Sequence, residues 1–358
     1  MPKLIQTAFA FALFAFLPNA ISIAHGATIK CLQMREAPKN DSVEGRNWLH
    51  AYQEVFASTA QIKAACAVVG ILGPIESGDY DKLLNIVRQS NGWLTTVALA
   101  SPGGNLSDAL RIGRLIRQLM IATHAPNVVA GRTMMPGVGL YSEDPCPTPS
   151  CICASACFVI WAGGIVRYGS VLGIHRPSFD KRYFSSLDLA DAAAKYREAL
   201  NELETYLSEV GVPESYRRQL LEVPSWEISI PSEQIKIDLE TPNRALRVVP
   251  AHADEWLTAK CGVITTEEIN ALDAYDDQRR AQWFGQQNRE KRSDGDPKAV
   301  GKYPMPWDWS CLDTSMIPDP AYRVLAQTSC DKNACRRTEL AKLRFNAYLK
   351  VFGNPFAK

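Results

Sequence analysis

The chain has 358 residues, 46% of them apolar and 22% charged, which is enough to bury a sizeable core and excludes wholesale disorder. Its 39 basic and 38 acidic residues leave a formal net charge of +1. That balance excludes a strongly basic protein, and nothing in it argues for nucleic acid or an anionic membrane surface as the main partner.

The N-terminus opens with Lys3, and the run Ile5 to Leu17 is apolar or small apart from Gln6 and Thr7. Pro18 breaks it, and small residues follow at Ala24, Gly26 and Ala27. This order is that of a secretory signal peptide, expected over residues 1–26. The run falls short of the about 20 residues a membrane-crossing helix needs. An uncleaved membrane anchor is the alternative, and no later segment is apolar for long enough to span a bilayer.

Residues 27–60 form a mixed lead-in, with a predicted helix near Asn47 to Ala57. Cys66 to Leu72 is a continuous apolar, β-branched run bounded by Gly73-Pro74 and predicts a buried strand. A helix starts at Asp79 and closes at Asn91-Gly92, and a second buried strand runs from Leu94 to Ala100 into Ser101-Pro102-Gly103-Gly104-Asn105. An amphipathic helix follows, carrying Leu110, Ile112, Leu115, Ile116, Leu119 and Met120, and Val128 to Ala130 is predicted as a third strand. Met134 to Cys153, rich in Pro, Gly and Cys, reads as an exposed loop.

Ala154 to Gly163 predicts a buried helix, Val171 to Ile174 a strand, and Leu187 to Val210 a long helix stopped by Gly211-Val212-Pro213. Alternation of strand and helix predicts parallel βαβ units, hence an α/β fold. This central domain is expected over 61–250. Beyond it, 251–358 is expected to be a helical, cysteine-containing appendage with a polar linker at 285–303 and a basic helix from Arg336 to Val351.

The sequence contains 10 cysteines. With an export leader, an even and high count reads as a disulfide set. Cys330 and Cys335 are close enough in sequence to close a small loop, as are Cys146 and Cys151. Zinc is the competing reading for Cys146, Cys151, Cys153 and Cys157, but no paired CxxC knuckle and no neighbouring histidine supports it. Neither metal nor cofactor is expected.

Three central pieces combine chemically. The glycines of SPGG let backbone amides approach a site closely. Ser155, in CASAC, stands at the start of a buried helix, where free N–H groups and the helix dipole favour an oxyanion. His175 closes a strand twenty residues later and can serve as the base that a serine nucleophile needs. Cys153 and Cys157 flank Ser155, as packing residues or as a disulfide stiffening the loop. His50, His124 and His252 lie outside the pattern.

From about Cys66 to about residue 240, SPGGN, the ASAC helix with Ala162-Gly163-Gly164 and the LGIHRP strand resemble the family of the Clp protease proteolytic subunit and its relatives, including signal-peptide peptidase A. The chain looks most like bacterial periplasmic members of that family. The resemblance implies a ClpP/crotonase-type spiral of ββα units, with Ser155 as nucleophile and His175 as base. It also implies an oxyanion hole from the amides of Gly104 (or Gly103) and Ala156, and assembly into a homo-oligomer. The implied substrate is a peptide or unfolded protein lying along a strand edge.

The family's third catalytic member is usually an aspartate. Aligning its following segment with Ile230-Pro231-Ser232-Glu233 places Trp226 there instead, with Glu227 beside it and Glu222 upstream. Either Glu227 orients the imidazole, or a backbone carbonyl does, or the site is weakened. The sequence lacks a G-x-x-x-x-G-K-[ST] phosphate loop, so no ATPase partner is expected and cleavage would be ATP-independent. Two other readings remain: a peptide-binding module that does not cut, and a crotonase-type acyl-thioester enzyme.

Overall fold

The computed structural model describes residues 26–36, 64–129, 132–134, 151–179, 181–229, 251–271, 274, 317 and 319–353. The leader, the helix near 47–57, most of the loop at 134–153, the segment 230–233 and the linker at 285–303 lie outside the described residues.

The apolar run singled out in the sequence is β2 (Ala64–Leu72), whose Val69 and Ile71 are fully buried. β1 (Thr28–Glu36) pairs with it antiparallel, and the Cys31–Cys66 disulfide ties the two strands covalently. On the other side β3 (Thr96–Ala100), β4 (Ala122–His124) and, further on, Arg167–Tyr168 add in parallel to give one five-stranded sheet. Parallel neighbours need crossovers. Helices α1 (Asp79–Gln89) and α2 (Leu106–Gln118) supply the first two, burying Leu83 and Val87, and Ile112, Leu115 and Ile116, in one core with the sheet. The protein is therefore a mixed α/β fold with a sheet that is mainly parallel.

The third parallel strand is Ala122–His124, not the expected Val128 to Ala130. β5 (Asn127–Val129) instead forms a hairpin with β6 (Arg132–Met134) outside the main sheet. Three residues of mixed polarity carry no periodic signal. What holds β4 in place is tertiary: the buried Thr123 hydroxyl donates to the Trp161 carbonyl at 2.8 Å.

After β7 (Cys153–Ala154), helix α3 (Ala156–Ala162) is buried at every one of its residues. A buried helix end must find partners for its carbonyls. Beyond the Thr123 bond, the Tyr206 hydroxyl donates to the Val159 carbonyl at 2.9 Å, and Arg167 Nε donates to the Gly164 carbonyl at 3.0 Å. Arg167, on β8 (Arg167–Tyr168), also donates to the Val210 carbonyl, so one guanidinium closes the ends of two helices. Burial lowers the Arg167 pKa to about 9, with the charge of Arg117 adding to the effect, and the group stays protonated at neutral pH.

β9 (Leu172–Gly173) leads past His175 to α4 (Lys181–Ser185) and to α5 (Leu189–Glu209). The Asp188 side chain caps α5 by accepting from the Asp191 amide, and α5 buries only its last turns, through Leu203, Tyr206 and Leu207. α6 (Glu214–Glu222) follows, and the chain then returns antiparallel beside Ile174.

The C-terminal part holds α7 (Ala251–Cys261) and a helix much longer than the basic segment at 336–351, α8 (Pro320–Phe352). Cys335 bonds to Cys261, so a Cys330–Cys335 loop does not form. Both cysteines stand on one continuous helix, where five residues separate them by about 7.5 Å of rise and point them apart. Phe345 and Tyr348 of α8 join the main core, and the Tyr348 hydroxyl donates to the Arg88 carbonyl at 2.7 Å. The C-terminal region is thus packed into the sheet domain at one end. Among the described residues no helix is long and apolar enough to cross a membrane.

Two predictions follow the buried polar groups. Tyr206→Phe removes the donor to Val159, and the orphaned buried carbonyl is expected to cost about 1–3 kcal/mol, read as a lower urea midpoint with unchanged slope. The second concerns His124, whose pKa burial pushes down to about 4. The unfolded chain takes up this proton near pH 6.5, so the stability present above that pH is lost as pH falls toward 4. The ring keeps some contact with solvent, which limits the loss to about 1–2 kcal/mol. Acid titration of the unfolding midpoint is expected to be flatter between these limits in His124→Phe.

Candidate active site

Main-chain hydrogen bonds bring the three pieces of the constellation side by side. Ser101 accepts from the Ala154 amide at 3.0 Å and donates its own amide to Ile152 at 2.8 Å. Cys153 and Ser155 in turn donate to Val171 at 3.0 Å and Gly173 at 2.9 Å. The segments carrying Gly103 and Gly104, Ser155 and His175 thus form a short parallel ladder at the ends of their strands.

On one flank of that ladder, Ile75 donates to Gly103 at 2.8 Å and accepts from Asn105 at 2.8 Å. Alternate residues of a paired strand turn their polar groups to opposite sides. The amide of Gly104 therefore faces away from Ile75, and it donates no hydrogen bond among the described residues. The Gly103 amide is engaged, donating to the buried Ser101 hydroxyl at 3.0 Å. Of the two expected glycine donors, Gly104 is the one left open. Neither position admits a side chain. A Cβ on Gly104 would lie 2.1 Å from the Ile75 carbonyl oxygen, and one on Gly103 would lie 2.5 Å from the Ser155 Cβ, at φ of +137° and +105°.

Ser155 links β7 to α3 with φ 57° and ψ −122°. This is a positive-φ conformation that a residue with a Cβ adopts at a cost of about 1–3 kcal/mol. A serine on a sharp, strained strand-to-helix turn is the arrangement of a nucleophile elbow, which holds the hydroxyl clear of its own backbone. The Ser155 amide bond to Gly173 and the buried helix behind it hold the strain. So does the Cys153–Cys157 disulfide, whose two ends bracket the serine across 4 residues. Ala156 is the first residue of α3, and its amide has no partner among the described residues. Two free amides, from Gly104 and Ala156, flank the serine.

His175 is 9% exposed and lines the same small pocket as Ser155, Ala156 and Gly104, a space of about 20 Å³. Its Nδ1 lies 2.8 Å from the Arg176 carbonyl oxygen. A carbonyl only accepts, so Nδ1 carries the proton and Nε2 is left as the acceptor a base requires. Ser155 Oγ makes no hydrogen bond among the described residues.

The structure does not bring Glu227 to the imidazole. Its side chain is exposed and makes no hydrogen bond or ion pair among the described residues, while its amide donates to Pro224 at 3.0 Å. The segment is instead fixed by its backbone: Ser229 and Ile174 exchange hydrogen bonds of 3.0 and 2.8 Å, and the Arg176 amide donates to Val223 at 3.0 Å. The guanidinium of Arg176 stacks over the exposed Trp226 ring at 5.6 Å.

The small pocket opens into a groove of about 920 Å³, sharing Gly104, Leu106, Pro177 and Ser178 with it. Ile75, Leu110, Phe179 and Tyr183 add apolar lining, and Glu76 and Glu202 add carboxylates. The described residues contain no group of three or more His, Cys, Asp or Glu side chains placed to hold a metal ion. Sequence reasoning did not reach the strain at Ser155, the choice of Gly104 over Gly103, or the Arg176 carbonyl. Only the small neighbours Ala154 and Ala156 hint at the tight turn.

The strain is testable without an assay. Ser155→Gly relaxes the positive-φ turn and Ser155→Ala does not, so the glycine variant is expected to be more stable than the alanine variant by about 1 kcal/mol in chemical denaturation, the reverse of the usual order.

Comparison of the chain with protein-family models, with curated proteins and with solved structures found no match.

Proposed function

We propose that this chain is an exported, ATP-independent serine peptidase of the Clp-protease/crotonase type that cleaves short or unfolded peptides. The observation that carries the reading is the strained Ser155 held between two unpartnered amides, beside a histidine whose tautomer leaves Nε2 open. A strained conformation with no packing purpose is a reason to look for chemistry at that residue.

In the proposed reaction Ser155 Oγ attacks a peptide carbonyl while His175 Nε2 takes its proton. The amides of Gly104 and Ala156 receive the developing negative charge on the carbonyl oxygen. The imidazolium returns the proton to the leaving amine, and water releases the acyl group by the same route in reverse. Orientation of the ring falls to the Arg176 carbonyl, a neutral acceptor that stabilises imidazolium less than a carboxylate does. The consequence is a slow enzyme. An extended peptide would lie in the adjoining groove, with its backbone pairing along the open side of Gly104. The disulfides and the absence of a membrane-crossing helix among the described residues accord with an exported location. The ββα spiral and assembly into a homo-oligomer belong to the same proposal and rest on the resemblance.

The second reading, a module that holds peptides without cutting them, is favoured by the lack of a carboxylate at His175. Fluorophosphonate labelling of the purified chain separates the two. The peptidase reading expects wild-type labelling that falls about 100-fold or more in both Ser155→Ala and His175→Ala. A folded wild-type chain that stays unlabelled would leave the binding module.

A further inference from the structure

The start of β1 lies against the wall of the candidate site. Ala27 is 3% exposed, and its amide donates to Asp79 Oδ2 at 3.1 Å. Asp79 is fully buried. The same Oδ2 accepts from the Glu76 amide at 2.8 Å, and Oδ1 pairs with Lys82 at 2.7 Å. The residue before Ala27 is Gly26, and a Cβ built on it would lie 3.0 Å from Glu76 Oε2 and 3.3 Å from Asp79 Oδ1. Gly26 thus occupies the space between two carboxylates.

Glu76 has no ion-pair partner among the described residues. The buried Asp79 and the half-buried Glu76 carry two negative charges against the one positive charge of Lys82. A second positive charge would find an acidic partner at this place. The sequence supplies a source for it: small residues at Ala24 and Gly26 stand three and one before Ala27, the spacing a leader peptidase cuts.

We propose that processing at the Gly26–Ala27 bond, the leader boundary expected from the sequence, completes a charge cluster in the fold. The ammonium freed on Ala27 then becomes the buried ion-pair partner of Asp79 and Glu76. A leader peptidase would hydrolyse the bond with one water, leaving a carboxylate on Gly26 and an amine on Ala27 that takes a proton. In place of a single amide donor, Ala27 then offers three N–H donors and a full positive charge, and removal of Gly26 clears the space they enter. Cleavage must precede folding, because Ala27 is buried and β1 is locked to β2 by register and by a disulfide. The pair bears on the candidate site, since Ile75, next to Glu76, braces Gly103 and Asn105.

The test needs no catalysis by Ser155, so it stands or fails apart from the peptidase reading. The intact mass of the secreted protein is expected to correspond to a chain starting at Ala27, and any other start overturns the proposal. Equilibrium unfolding is then compared between a chain released to start at Ala27 and one that keeps Gly26 in front. The Ala27 chain is expected to have the smaller unfolding constant by about tenfold or more. That advantage should shrink severalfold in Asp79→Asn and also in Glu76→Gln, the second of which spares the fully buried carboxylate. Equal stability of the two starts, or an advantage undiminished in Glu76→Gln, would overturn the ion pair.

Discussion

Burial of one short helix sets the terms for the rest of the molecule. α3 has seven residues and no exposed face, so it gains its stability from packing rather than from propensity. It can lie in the core only because its polar ends are met from outside: Thr123 on β4, Arg167 on β8 and Tyr206 on α5 each donate to a carbonyl in or just after it. Those three donors come from three elements and pull them together around α3. The same burial anchors the N-terminus of the helix, where the Ala156 amide stays open and Ser155 sits in a conformation it would otherwise leave.

Rigidity and backbone strain therefore meet at the candidate site. The core supplies a fixed platform, and Ser155 carries its strain at the rim of that platform. Gly103 and Gly104 are packed so closely against Ser155 and Ile75 that neither position admits a side chain. His175 is placed by backbone contacts on both neighbours, Ile174 to Ser229 and Arg176 to Val223. Groups held by main-chain ladders rather than by mobile loops have the positional precision that the proposed oxyanion stabilisation would need.

Much of the sheet was legible in the sequence because its central strands hold continuous apolar runs, as in 66–72 and 97–100, where burial on both faces removes alternation. The helices from Asp79 and through Leu110 announced themselves by their period. β4 was not legible, since Ala122-Thr123-His124 is a strand only by virtue of its neighbours. Candidate site residues could be named because SPGGN, ASAC and LGIHRP occur in one order along the chain, each motif alone being an ordinary turn, cap or strand end. Of the alternatives for orienting the imidazole, a carboxylate such as Glu227 leaves a mark in the sequence, whereas a backbone carbonyl, here that of Arg176 at Nδ1, belongs to every residue type alike. The Cys261–Cys335 bond was hidden for a related reason, as cysteines close in sequence are far apart around a helix.

The ladder that assembles the site runs across segments near residues 75, 104, 153, 173 and 229. Its rungs are thus spread over more than 150 positions, and no contiguous fragment short of that span contains them all. A nascent chain that has not yet emerged past Ser229, or a product cut anywhere between, lacks at least one support of the serine or the histidine. The topology itself withholds the complete candidate site until the chain from Ile75 to Ser229 has been made and folded.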